Sequence, residues 1–190
     1  MLNKLFYPSP NHEPRTEDIK YIIVHGTWME SDKEALERLS CPQAKVSCHY
    51  YIDQQGQLIQ MVAEAQVAWH AGVSAWRDDV GLNKHSIGIE VSVLPHGEFH
   101  ECQYKTLEWL LEDLRGRYVL SADAVLAHSD IAPDRKDDPG RGFDWSRLAS
   151  RDLVLNKPKS LDVANPESLR EFGYVGEDAH ILEAAKLRWG

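Results

Sequence analysis

The chain has 190 residues, of which 43% are hydrophobic and 27% charged, and its formal net charge is −9. These values are typical of one globular domain, and the acidic balance argues against a nucleic-acid partner, which needs a basic surface. No apolar run reaches the length of a transmembrane helix, so we expect no membrane segment. Three cysteines without a CxxC pair, and no apolar leader, predict a cytoplasmic location.

The first third of the chain predicts alternating strands and helices. Residues 1–19 are rich in proline and charge and predict an irregular N-terminal arm. Residues 21–24 predict a buried strand that ends at His25. A capping-box pattern predicts a helix over residues 31–39, and residues 48–61 predict a hairpin around a glycine-bearing turn.

The middle of the chain predicts a loop, a strand and a helix. Residues 64–85 show little periodicity and predict a long loop. Residues 86–93 alternate in polarity and predict a central strand with Glu90 in its middle. Because buried carboxylates are rarely left unpaired, the alternative is an edge strand whose glutamate faces water. Leucines spaced by three and four residues predict an amphipathic helix over residues 101–118.

A second apolar run, residues 124–128, predicts a strand that ends at His128. The loop after it is rich in aspartate and proline and carries Lys136 and Asp138. Imidazole and carboxylate groups suit zinc, whereas this stretch by itself is equally consistent with a polar surface loop. After a short helix near residues 145–149, we expect residues 151–190 to pack on the domain as a C-terminal extension with one amphipathic segment, residues 177–187.

Two histidines that follow apolar strands can meet at one edge of a sheet. With Asp138 they would form a set of three protein ligands, which is how catalytic zinc sites are built. Such a metal activates water and polarises a carbonyl. Glu90 is then a candidate general base, and Lys136 a candidate partner for an oxyanion. This pattern favours an amide hydrolase.

The local sequences also resemble a known family, the type 2 N-acetylmuramoyl-L-alanine amidases, in the AmpD/AmiD branch that is related to peptidoglycan recognition proteins. The resemblance spans roughly residues 20–148. It is carried by six motifs in the family's order: residues 23–27, 47–50, 68–74, Asn83, residues 86–90 and residues 128–140.

The resemblance implies an α/β fold with a mixed central β-sheet flanked by helices, and a zinc amidase domain over residues 20–150. It implies zinc ligands His25, His128 and Asp138, Glu90 as catalytic acid/base, and Lys136 as the oxyanion partner. The implied reaction is hydrolysis of the amide between N-acetylmuramic acid and L-alanine of a peptidoglycan stem peptide. Both soluble 1,6-anhydro-muropeptides and the polymeric wall are open as substrates.

Five further residues are expected near the substrate: His49, Trp69, His70, Arg77 and Asn83. The alternatives are a packed side chain for His49, a structural loop role for His70 and a surface charge for Arg77.

For the whole protein, the alternatives to a muropeptide-recycling enzyme are an exported wall-degrading amidase and a non-catalytic peptidoglycan-binding module. We expect a monomer whose partners are peptidoglycan or its fragments.

Overall fold

The structure, a computed structural model, describes residues 4–190. Within this range the strands are β1 (Lys4–Phe6), β2 (His12–Pro14), β3 (Tyr21–Gly26), β4 (Tyr50–Ile52), β5 (Leu58–Gln60), β6 (Gln66–Ala68), β7 (Ala75–Trp76), β8 (Asp79–Val80), β9 (Ser86–Val91) and β10 (Val125–Ala127). The α-helices are α1 (Asp32–Ser40), α2 (Glu101–Tyr118), α3 (His128–Ile131), α4 (Trp145–Ser150), α5 (Pro166–Phe172) and α6 (Asp178–Trp189).

Six strands form the central sheet in the order β1-β5-β4-β9-β3-β10. Strand β3 pairs in parallel with β9 on one side and with β10 on the other, and β4 is parallel to β9. The hairpin partner β5 runs antiparallel to β4. The carboxyl ends of four strands therefore share one edge, and the predicted mixed sheet with flanking helices is confirmed.

Both faces of the central strands are buried, which explains their continuous apolar sequences. On one face, Ile22 and Val24 of β3 share a core cluster with Leu107 and Leu111 of α2. On the other face, Ile23 belongs to a second cluster that includes residues of α5 and α6. One strand thus joins two cores through the two-residue alternation of its side chains.

The C-terminal extension is fastened to the domain by a buried cation. The guanidinium carbon of Arg188 in α6 lies 3.6 Å from the ring centroid of Trp145, and its Nε lies 3.7 Å from the carboxylate of Asp130. Tyr174 donates a hydrogen bond of 2.6 Å to the same carboxylate. Asp130 also accepts from the backbone N–H of Ala127, so the extension contacts the turn that begins α3.

Most predicted elements are confirmed, with small shifts in their bounds. The glutamate-bearing strand β9 lies between β4 and β3, so the edge-strand alternative is wrong. His128 is the first residue of α3 rather than the last residue of β10. The extension contains α5 in addition to the expected helix. Over residues 4–190, no helix is both apolar and long enough to cross a bilayer.

Two predicted irregular regions contain short strands. In the N-terminal arm, β1 extends the central sheet beside β5, and β2 pairs with β6; residues 1–3 of that arm lie outside the described residues. The predicted loop over residues 64–85 contains β6 and the β7–β8 pair. These strands are two or three residues long, so they are too short to show a periodicity in the sequence.

Glu64, in the turn after β5, ties the sheet to the end of α2. Its carboxylate accepts hydrogen bonds from the hydroxyls of Tyr50 and Tyr118 and two from the guanidinium of Arg117, at 2.5–2.7 Å. Burial by itself would raise the pKa of Glu64, but these hydrogen bonds outweigh it and lower the pKa to about 2. The negative charge of Glu64 therefore stabilises the fold.

We expect Glu64→Gln to lower the free energy of unfolding at pH 7 by about 1.5–3 kcal/mol, because hydrogen bonds to a charged group are lost. The difference from the parent should be fully present above about pH 4.5 and disappear as the pH falls towards 2, since the carboxylate has the lower pKa in the folded state. Urea titrations across this pH range measure the difference in free energy of unfolding. The control variant is Glu171→Gln, which changes an exposed glutamate. A difference that is independent of pH would contradict this role.

Candidate active site

Three ligand atoms meet at the carboxyl edge of the sheet. His25 lies near the end of β3, and His128 follows β10, the parallel neighbour of β3. The loop after α3 brings back Asp138. The Nδ1 atoms of the two histidines are 2.9 Å apart, and each lies 3.1 Å from Oδ2 of Asp138.

This triangle has the dimensions of a zinc site. Ligands at the corners of a zinc tetrahedron are about 3.3 Å apart, close to the distances between the three ligand atoms. All three side chains are buried, and burial together with the charge of His128 lowers the pKa of His25 to about 4. His25 is therefore a neutral imidazole at pH 7, as a metal ligand must be. The chemistry of this donor set fits zinc.

The backbone of the loop holds Asp138 in place. The N–H of Ser129 donates to the Asp138 carbonyl at 3.0 Å, so the end of the loop is bonded to the start of α3. The backbone N–H groups of Arg135 and Lys136 both donate to the carbonyl of Ala132, so residues 132–136 form a tight turn. The ammonium-bearing side chain of Lys136 is exposed and lines the cleft above the triangle.

Glu90 lies beside the triangle because β9 pairs with β3 in a register that places it opposite His25. Among the described residues, its Oε2 atom is buried and has no hydrogen-bond partner. Burial, and to a smaller extent the charge of Asp138, raises the pKa of Glu90 to about 8, while Lys136 acts in the opposite direction. A carboxyl group with a pKa near neutrality can both accept and return a proton.

The triangle and Glu90 open into a cleft at this edge of the sheet. One wall comes from α1 and from the segments immediately before and after it. This wall combines apolar side chains with one cation: Met29, Ala35, Arg38, Leu39 and Val46.

The structure brings some of the predicted substrate residues to this cleft and leaves others outside its lining. Trp69 and His70 line the cleft. His49 is buried and accepts a hydrogen bond from the backbone N–H of Gly88. Arg77 pairs with Asp123 at 3.0 Å. Direct substrate contacts by any of the five residues stay predictions.

Asn83 is hydrogen-bonded to the loop that contains His70. Its Oδ1 atom accepts hydrogen bonds from the backbone N–H groups of His70 and Ala71, at 3.0 and 2.7 Å.

The sequence analysis did not predict two arginines near the site. Arg38 lies in the cleft wall, and Arg15 of the N-terminal arm has a guanidinium nitrogen 3.0 Å from Nε2 of His49. Neither arginine belongs to a motif or a periodic pattern, so the sequence carried no signal for them.

Comparison with known proteins agrees with this geometry. The sequence profile described as "N-acetylmuramoyl-L-alanine amidase" matches residues 15–141. The 1,6-anhydro-N-acetylmuramyl-L-alanine amidase AmpD of Enterobacter cloacae is 36% identical over 160 residues, covering 74% of this chain and 86% of AmpD. The amidase AmiD of Escherichia coli K12 is 37% identical over 151 residues, covering 71% of this chain and 54% of AmiD. The matched region thus spans about half the length of AmiD.

Solved structures show the same fold. The complex of E. coli AmiD with the substrate anhydro-N-acetylmuramic acid-L-Ala-D-γ-Glu-L-Lys superposes with a TM-score of 0.81 at 28% identity, covering 95% of this chain and 81% of that one. An AmpD structure superposes with a TM-score of 0.70 at 29% identity, covering 81% of this chain and 99% of the AmpD chain. With the profile match over more than half of its length, the chain belongs to the N-acetylmuramoyl-L-alanine amidase family.

Proposed function

We propose that the protein is a zinc-dependent amidase that cleaves the bond between N-acetylmuramic acid, including its 1,6-anhydro form, and L-alanine of peptidoglycan stem peptides. One observation carries this proposal: the possible metal-ligand triangle of His25, His128 and Asp138 stands beside Glu90, whose buried Oε2 atom has no hydrogen-bond partner among the described residues. The similarity to AmpD and AmiD supports the choice of substrate.

Each residue of the site has a distinct task in this proposal. A zinc ion held by the triangle supplies a Lewis acid for the amide carbonyl and lowers the pKa of water at the site. Glu90, as a carboxylate, takes the proton of the attacking water and passes it to the leaving amine nitrogen. Lys136 at the mouth of the cleft stabilises negative charge on the carbonyl oxygen.

The charge and polarity of the cleft lining favour a peptide substrate that carries carboxylates. Arg38 and Lys136 add positive charge, and Met29 and Leu39 add apolar surface for small side chains such as that of alanine. Soluble muropeptides are the proposed substrates; the cytoplasmic location and the monomeric state stay predictions. A non-catalytic binding module is less well supported, because binding alone does not need a buried, unpartnered carboxyl group beside a metal-ligand triangle.

Product analysis by mass spectrometry tests the proposal. The zinc-loaded protein is offered anhydro-muropeptides and intact peptidoglycan sacculi in parallel. We expect free stem peptide from the muropeptides. Additional release from sacculi would favour an exported wall-degrading amidase, and no release from either substrate would contradict amidase activity.

We expect Asp138→Ala to lose most of its zinc, because two histidines alone leave the ligand set incomplete. Metal content after dialysis measures this loss. The matched control is Asp137→Ala, which removes an exposed neighbouring carboxylate and should keep one zinc ion per chain. Retention of stoichiometric zinc by the Asp138 variant would exclude this residue as a ligand.

We expect Glu90→Gln to keep zinc and its fold but to lower kcat by roughly 10²- to 10⁴-fold, since the amide cannot accept a proton. Steady-state kinetics on anhydro-muropeptide, with zinc content measured on the same samples, separates lost turnover from lost metal. A near-normal kcat would show that another group serves as the base.

A further inference from the structure

Two successive residues of one loop contact the outer nitrogens of both proposed metal-binding histidines. Nε2 of His25 lies 3.0 Å from Nδ1 of His70, and Nε2 of His128 lies 3.3 Å from the carbonyl oxygen of Ala71. These are the ring nitrogens that point away from the triangle. We call residues 69–72 the backing loop.

The hydroxyl of Ser86 determines the direction of the hydrogen bonds behind His25. Ser86 Oγ lies 2.6 Å from the carbonyl oxygen of Leu82, and a carbonyl oxygen only accepts, so the hydroxyl donates to it. The same Oγ atom lies 3.2 Å from Nε2 of His70 and must accept there. His70 therefore carries its proton on Nε2.

The tautomer of His25 follows from that of His70. The His70 ring is buried, and its Nδ1 atom faces Nε2 of His25 at 3.0 Å. With its proton on Nε2, His70 has a lone pair on Nδ1 and accepts the Nε2–H of His25. His25 then has its own lone pair on Nδ1, the atom in the triangle.

The carbonyl of Ala71 determines the tautomer of His128. Because this oxygen only accepts, Nε2 of His128 is the donor and its Nδ1 atom carries the lone pair. The three atoms of the triangle are then all acceptors, which is the arrangement that a bound metal cation needs.

The backing loop is held rigidly enough to impose these directions. Asn83 accepts from two of its backbone N–H groups, and Arg135 donates to the carbonyl of Ala71 at 2.5 Å. Gly88 of β9 leaves room for the imidazole of His70, since a Cβ atom at this position would lie 2.4 Å from Cγ of that ring. Any larger residue at Gly88 would displace His70.

We propose that His70 and Ser86 are positioning residues that fix His25 as an Nδ1 metal ligand, while the Ala71 carbonyl fixes His128 in the same way. This inference rests on the proposed function, because it concerns the metal site, and it assigns His70 a role behind the ligands rather than on the substrate. Hydrogen-bond partners of this kind typically change metal affinity by about 10- to 100-fold.

Nuclear magnetic resonance tests the tautomers directly in the parent protein. Two-bond ¹H–¹⁵N correlations of ¹⁵N-histidine-labelled protein report which ring nitrogen carries the proton, both without metal and with zinc. We expect Nε2–H forms for His25, His70 and His128 in both states, with zinc perturbing Nδ1 of His25 and His128. A proton on Nδ1 of His70, or zinc on Nε2 of His25, would overturn the proposal.

The variant Ser86→Ala tests the same chain of bonds through affinity. It removes the acceptor for His70, so we expect zinc affinity, measured by competition with a chromophoric chelator, to fall about 10- to 100-fold. We also expect the His70 signals to become a mixture of tautomers. Ser92→Ala, a buried serine just beyond the end of β9, is the control and should bind zinc like the parent.

The two levels of failure are distinguishable. Absence of zinc binding by the parent protein would contradict the proposed function, while the metal-free spectra would still decide the tautomers. Normal zinc affinity and unchanged His70 signals in the Ser86 variant would contradict the positioning role alone.

Discussion

The site depends on the parallel pairing of β3 with β9 and with β10. This pairing brings His25, Glu90 and His128 to one edge of the sheet, although the two histidines are 103 residues apart in the chain. Parallel strands have both faces buried, so they need cover on each side. Helix α2 supplies it on one face. On the other face α6, fastened through Arg188, packs against α3, so the C-terminal extension supports the element that carries a proposed metal ligand.

Two partly buried glutamates, Glu64 and Glu90, show how different surroundings change the pKa of the same group in opposite directions. Glu64 accepts four hydrogen bonds, and these lower its pKa to about 2, so its charge ties α2 to the sheet. Glu90 has a buried oxygen without a partner among the described residues, and burial raises its pKa to about 8. An arrangement like that of Glu90 destabilises a fold at neutral pH. This unpartnered oxygen beside the ligand triangle supports the proposed role of Glu90 in proton transfer.

The histidine motifs of the chain have separate roles in space. His25 and His128 provide the proposed ligand atoms, whereas Nδ1 of His70 lies 3.0 Å from Nε2 of His25 and its Nε2 atom lies 3.2 Å from the hydroxyl of Ser86. His49 is attached to β9, because its Nδ1 atom accepts a hydrogen bond from the backbone N–H of Gly88.

Local patterns in the sequence predicted the strands β3, β9 and β10 and the helix α2, and together with the family resemblance they predicted the residues of the triangle and its neighbouring glutamate. Each of these follows from a short run of apolar residues or from a motif within a few positions, so no distant contact is needed to recognise them. The tertiary structure alone decided between the central and the edge position of β9, added a strand from the N-terminal arm, and placed His70 behind His25. These features depend on hydrogen bonds between residues far apart in the chain, such as Ser86 with His70 and Ala71 with His128. A sequence records which groups can donate or accept, but only the folded chain decides which of them meet.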